Sequence, residues 1–240
     1  MSDRPLSPTA RSTLKRGRRR ARIDRADLHA VLDAGLVCHL GVVLRGAPVV
    51  LPTGYGRVDD VLYLHGSTGA ATLRAAAAGA PVCVTVTLLD GIVYARSVFH
   101  HSMNYRSAVV HGTARPVTDR GEQLTGLRAI VEHLAPGSWS HARLPDGKEM
   151  AATAVLAVDL AEASVKIRTG PPGDEDRDIA DPAYWAGVLP LHTHWGAPEP
   201  CPRLAPGTPV PAHVHTRSAT RTTSSPPDAA GGRNPSETVP

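Results

Sequence analysis

Apolar positions recur along the chain with two different periods, and the switches between them divide the middle of the sequence into elements. After Asp24, Leu28, Val31 and Leu32 fall on one face at helical spacing and Gly35 follows as a stop, which predicts a first helix capped by Asp24. Residues 36–44 and 49–58 are apolar, β-branched runs separated by Arg45-Gly46-Ala47-Pro48. The pair Asp59-Asp60 then turns the chain into 61–65, so a three-strand meander is expected. An alanine-rich helix is predicted over 68–78, between Gly66 and Gly79. Residues 82–89 alternate and meet Asp90-Gly91, a strong hairpin signal, with 92–98 as the returning strand. A strand over 105–117, a helix over 119–134 and strands over 153–160 and 165–169 complete the pattern.

Seven or eight hairpin-linked strands with three helices, and no regular βαβ alternation, predict a mainly β fold with peripheral helices, closed or split into a barrel. The folded unit is expected over 23–198. Residues 199–240 are rich in Pro, Ser, Thr and Gly, poor in large apolar side chains, and read as a disordered tail. Residues 1–22 hold eight Lys or Arg against Asp3, a net of +7, which leaves the remainder of the +4 chain at −3. The basic character therefore belongs to a short arm, expected to be solvated, and a nucleic-acid-binding face is not expected.

No apolar run reaches the length of a membrane helix, and the N-terminus has no secretory h-region, so a cytoplasmic protein without membrane contact is expected. Cys38, Cys83 and Cys201 lack the spacing of a disulfide framework or a metal site. The pairs His192/His194 and His213/His215 lie in Pro-rich sequence without a third ligand and are read as solvated.

Three segments carry candidate chemistry. In Pro52-Thr53-Gly54-Tyr55-Gly56, a proline and two glycines interrupt an apolar strand, as happens at a bulged edge or where a ligand approaches the backbone. In Leu62-Tyr63-Leu64-His65-Gly66-Ser67-Thr68-Gly69, a strand feeds a helix through two hydroxyls and free backbone N–H groups, with Arg74 in the helix, which suits a phosphate or a plain helix cap. In the third, Tyr105-Arg106-Ser107 opens a strand just after His100 and His101, and Arg106 offers a forked cation that matches a phosphate. No dinucleotide fingerprint, P-loop, nucleophile elbow or H-E-x-x-H motif is present.

Taken in order, Pro52-Thr53-Gly54-Tyr55-Gly56, Leu62-Tyr63-Leu64-His65-Gly66-Ser67, Asp90-Gly91 and Tyr105-Arg106-Ser107-Ala108-Val109-Val110-His111-Gly112 resemble the pyridoxamine 5′-phosphate oxidase-like superfamily. The match is to its nitroimidazole-resistance and flavin-nucleotide-binding branch. The resemblance implies an FMN-binding split β-barrel, a homodimer with FMN at the subunit interface, and a flavin-dependent oxidoreductase acting on an unidentified small molecule. It implies cofactor contacts from Pro52, Thr53, Tyr55, His65, Ser67, Thr68, Arg74, Tyr105, Arg106 and Ser107. Many relatives place a lysine after the His-Gly/Ser strand, where this chain has Gly69, Ala70 and Ala71. A deazaflavin or haem in place of FMN, the latter in view of His65, His100 and His101, and a non-catalytic flavin- or haem-sensing role stand as alternatives.

Overall fold

The computed structural model describes residues 5–6, 9–180 and 183–219. In chain order the elements are β1 (Ala21–Arg22), α1 (Arg25–Ala34), β2 (Cys38–Leu44), β3 (Ala47–Thr53), β4 (Tyr55–Val58), β5 (Val61–Ser67), α2 (Ala71–Ala77), β6 (Pro81–Tyr94) and β7 (Ser102–Thr113). They continue as β8 (Arg115–Pro116), α3 (Arg120–Leu134), α4 (Gly147–Ala152), β9 (Thr153–Asp159), β10 (Ala163–Arg168), α5 (Asp176–Ile179), β11 (Gly187–Pro190) and α6 (Ala212–Ala219).

Every strand pairing is antiparallel. The larger sheet runs β1-β10-β7-β6-β2-β3, with β11 added to the outer half of β6, and the smaller runs β4-β5-β9-β8. The chain passes between sheets at Gly54, from β3 to β4, and at Ala114, from β7 to β8, so the two sheets form a split barrel that does not close. Alternation decides what fills it. Leu40, Val84, Val86, Ala108, Val110 and Val165 from one sheet meet Leu62, Leu64, Leu156 and Val158 from the other, and Leu28, Val31 and Leu32 of α1 join the same core.

A second, smaller core lies between the smaller sheet and α3, where Tyr63, Val117, Ile130, Val155 and Ala157 pack together. This packing explains the broken strand of the first candidate segment. A Cβ on Gly56 would stand 2.3 Å from the Ala129 carbonyl carbon and 2.4 Å from the Ile130 nitrogen, so the glycine admits the α3 backbone rather than a ligand. Gly126 of α3 admits the Tyr63 ring in return, at 2.7 Å from such a Cβ.

Three expectations are corrected. The run 49–58 is two strands in different sheets, because the chain changes sheet at Gly54. Asp90-Gly91 is not a hairpin turn. β6 continues through it to Tyr94, and the register against β7 shifts between Leu89 and Gly91, leaving Asp90 as the extra residue of a β-bulge. Before the bulge Val82, Val84 and Val86 face the core; after it Gly91, Val93 and Ala95 do.

The third correction concerns the ends. Within the expected solvated arm, Leu6 is buried and its N–H donates to the Ile23 carbonyl, β1 pairs with β10, and Thr9 and Arg11 both bind the Glu162 carboxylate. Within the expected disordered tail, residues 212–219 form α6, whose Arg217 guanidinium stacks 4.5 Å over the Trp195 ring. The rest of the expected arm and tail, residues 1–4, 7–8 and 220–240, lies outside the described residues. Among the described residues no helix is long and apolar enough to cross a membrane.

Candidate functional site

The register of the larger sheet places Pro52, Tyr105 and Ser107 on one outward face. Pro52 stands opposite His39, and His39 opposite Thr85; Ser107 stands between Thr87 and Lys166; Tyr105 stands between Leu89 and Arg168. Residues directly opposite in a ladder share a face, so Thr87, Ser107 and Lys166 form a row of two hydroxyls and an ammonium across three strands. Lys166 has no carboxylate partner among the described residues. Such a donor set suits an anionic, oxygen-rich group. Thr85, Thr87 and Lys166 escaped the sequence reading, although the polar positions that alternate with Val82, Val84 and Val86 carried their signal.

Ser67, Thr68 and Arg74 are exposed at the end of β5 and on α2. The Ser67 hydroxyl accepts from the Gly69 N–H at 3.1 Å, the Thr68 N–H donates to the Ala152 carbonyl, and Arg74 has no ion-pair partner among the described residues. Among the described residues no hydrogen bond or ion pair joins this group to the outward face. Thr53 ends β3, its hydroxyl turned to the Gly54 carbonyl at 3.2 Å.

Two expected site residues are structural. Tyr55 is fully buried, and its hydroxyl reaches the carbonyl oxygens of Leu32 at 2.5 Å and Gly35 at 2.9 Å, fastening the end of α1; burial pushes its pKa up. Arg106 is buried and its fork is already filled. Nε and Nη2 donate to both Asp90 oxygens at 2.7–3.3 Å, and the Asp90 side chain is only 5% exposed. The bulge supplies the reason, since the extra residue turns its carboxylate inward to the arginine. His65 lies between these cases. It is half-buried, its Nδ1 is buried without a hydrogen bond, and loss of solvent lowers its pKa, so the ring stays neutral where an exposed histidine would charge.

Around the bulge of β6 the structure opens a cleft of about 1220 Å³. Its walls come from the ends of α1 and α3, residues 87–90 around the bulge, residues 191–195 after β11, and α6. Arg106 is the one residue of the expected site that reaches it.

A family model described as pyridoxamine 5′-phosphate oxidase matches residues 24–167. The chain belongs to the pyridoxamine 5′-phosphate oxidase family. Among solved structures it is similar to the flavocytochrome Anf3 from Azotobacter vinelandii, at 39% identity and a TM-score of 0.83 over 89% of this chain and 99% of that one. It is also similar to an FAD and haem binding protein from Mycobacterium smegmatis, at 42% identity and a TM-score of 0.79 over 82% of this chain and 97% of that one. A 5-nitroimidazole antibiotic resistance protein from Bacteroides thetaiotaomicron shares the fold at 21% identity and a TM-score of 0.51, over 61% of this chain and 86% of that one. No curated protein gives a significant match. In this member of the pyridoxamine 5′-phosphate oxidase family, β11, residues 191–195 and α6 all lie beyond the matched domain.

Proposed function

We propose that the protein is a flavin-binding redox protein that works as a homodimer and carries haem as a second group. The observation that carries this reading is the likeness, at 39–42% identity over more than four-fifths of the chain, to a flavocytochrome and to an FAD and haem binding protein. The outward face of the larger sheet supports the flavin part. There Thr87 and Lys166 offer a hydroxyl and an uncommitted cation to phosphate oxygens, beside Ser107, whose hydroxyl donates to the Lys166 carbonyl at 3.4 Å, whereas Arg106 already holds Asp90. Pro52, Thr53 and Tyr105 border the same face, and Ser67, Thr68 and Arg74 contribute if the partner subunit brings its own copies against it.

A second copy is supported by the surface beside β6 and β7. Val98 and Phe99 are each 88% exposed, Trp185 71%, and Met103, Leu189 and Tyr184 are exposed nearby, an apolar area of the kind that marks an interface. Bound flavin supplies hydride and electron chemistry, and the protein supplies position and electrostatics. FMN is the flavin that the resemblance implies, whereas the Mycobacterium smegmatis relative is described as binding FAD.

The test is the absorbance spectrum of the purified protein, the mass of any flavin released on denaturation, and the molar mass in solution. Flavin absorption in a dimer is expected, and the released mass assigns FMN or FAD. A colourless protein that takes up neither added flavin overturns the reading. Consumption of NAD(P)H would add a reductase activity to binding.

A further inference from the structure

The docked arm gathers positive charge on one edge of the barrel and holds it there. Residues 15–22 contain six Lys or Arg and no Asp or Glu, and none of the six pairs with a carboxylate among the described residues. A free tail of that composition would spread its charges through solvent, but this one is fastened at both ends. Upstream, Leu6 is buried and Thr9 and Arg11 bind Glu162; downstream, Ala21 and Arg22 pair with Lys166 and Val165 of β10. Between the fastenings the chain turns at Gly17, in the left-handed region at φ 66°, and the Arg20 N–H donates to the Gly17 carbonyl at 2.9 Å. The turn lies against β10, since a Cβ on Gly17 would stand 3.5 Å from Lys166 Cε. Arg168 of the same strand loses solvent and faces the Arg20 charge, and both effects lower its pKa. Its guanidinium donates to Asn104 and to the Gly170 and Pro171 carbonyls, and to no carboxylate among the described residues.

Like charges fixed side by side repel, so the fold keeps this array at a cost that an anion would offset. Its extent indicates which anion. Two or three donors fill one phosphate, whereas these cations run from residue 15 to 22 and on to Lys166 and Arg168, an area suited to a second macromolecule. Ile23 is the one large apolar residue exposed among the described residues up to 24. A contact rich in charge and without an apolar centre gives fast, salt-sensitive, short-lived association, the pattern of weak redox encounters. A long polyanion fits less well, because beyond the arm the chain carries −3 and would repel it. The patch also ends on the outward face of the larger sheet, where Ala21 continues the row of Lys166, Ser107 and Thr87.

Resting on the reading that this is a flavin-binding redox protein, we propose that the arm is the docking surface for an acidic electron-carrier protein. Each encounter passes one electron from the reduced carrier, which is thereby oxidised, to the flavin. Two encounters, with two protons from water, complete the reduction of the flavin.

The experiment uses the full-length, flavin-loaded protein with a plant-type [2Fe–2S] ferredoxin as the acidic probe, and a short DNA duplex and phosphatidylserine vesicles as rival polyanions. Wild type is expected to bind ferredoxin at about 20 mM salt and to lose at least about 10-fold in affinity at about 200 mM. Arg16→Ser/Arg18→Ser/Arg19→Ser should weaken the complex at least about 10-fold and slow reduction of the flavin by reduced ferredoxin in proportion. Its three positions are exposed, so flavin uptake and melting temperature should match wild type. Removing the same charge outside the patch, in Arg45→Ser/Arg120→Ser/Arg203→Ser, should change the affinity less than about 3-fold.

Equal binding by wild type and the arm variant, or equal losses in the two triple variants, overturns the assignment. So does a duplex or vesicle that wild type holds more tightly than ferredoxin and the arm variant releases, which would make the arm a nucleic-acid or lipid contact. A protein that takes up flavin but binds no ferredoxin leaves the flavin reading standing and removes this one. A protein that takes up no flavin removes both.

Discussion

The Arg106 and Asp90 pair shows how a single residue changes meaning once its partner is seen. From sequence Arg106 is a free fork at a strand entrance; in the fold it neutralises a carboxylate that has almost no contact with water. Breaking a buried pair by removing one member leaves an uncompensated charge, which costs about 3–5 kcal/mol. Arg106→Ala is therefore expected to lower stability by that amount in a denaturant titration, and Asp90→Ala/Arg106→Ala should recover most of it. Equal losses in the single and double variants would disprove the pairing argument.

His65 gives the second residue-scale prediction. Burial lowers its pKa below the unfolded value, so between the two values the unfolded chain binds more protons and stability falls as pH falls. The contribution is complete above about pH 6.5, the unperturbed value, and is lost on acidification below it. The melting temperature of His65→Gln should decline less than that of wild type between pH 7 and pH 5. Parallel curves would show that the ring is solvated. A gain in flavin affinity from protonation of His65 between pH 8 and 6, a natural expectation for an exposed strand-end histidine, runs against the same burial.

At the scale of elements, periodicity located most of β2, β5, β7, β9, α1 and α3, because each buries one regular face. It failed where tertiary contacts decide. Asp90-Gly91 has the composition of a turn, but its glycine is needed for close approach of β11, whose Leu189 carbonyl would lie 2.8 Å from a Cβ at Gly91. Gly56 likewise serves α3, a contact with residues more than seventy positions away. The arm was misread because its composition reports solubility, while its docking depends on Leu6, β1 and Glu162.

That docking has a pH signature. Hydrogen bonds from Arg11 and Thr9 hold the Glu162 carboxyl down to about 2, so their contribution is present above the usual value near 4.5 and fades as pH falls from there toward 2. Arg11→Ala should hasten tryptic cleavage within 15–20 at neutral pH, followed by mass spectrometry. An unchanged cleavage rate would mean that Leu6 and β1 alone secure the arm.

For the molecule as a whole, the barrel and the C-terminal segment meet along β6, whose inner half pairs with β2 and outer half with β11. The fold class was legible in the sequence through strand alternation and the ordered motifs, which also singled out Pro52, Tyr105 and Ser107 of the outward face but not Thr85, Thr87 or Lys166. The cleft was not, because its walls come from segments separated by more than a hundred residues and one of them reads as tail. Gly91→Ala should push β11 from its place at a cost of about 1–3 kcal/mol, the usual penalty for overpacking. The measurable sign is faster hydrogen exchange at Gly187, Leu189 and Leu191 with flavin binding intact. Unaltered exchange there would indicate that β11 is held by its side chains instead.

A strand that joins a free sheet edge through backbone hydrogen bonds uses the device by which sheets recruit extended peptides from other chains. β11 is in that sense a tethered ligand, kept on β6 by the effective concentration that the connection from β10 imposes. Nothing in the pairing itself distinguishes this strand from the same strand of a neighbouring copy. Two subunits brought together could exchange their C-terminal segments without changing a single hydrogen bond at β6, and each cleft would then be walled by both chains.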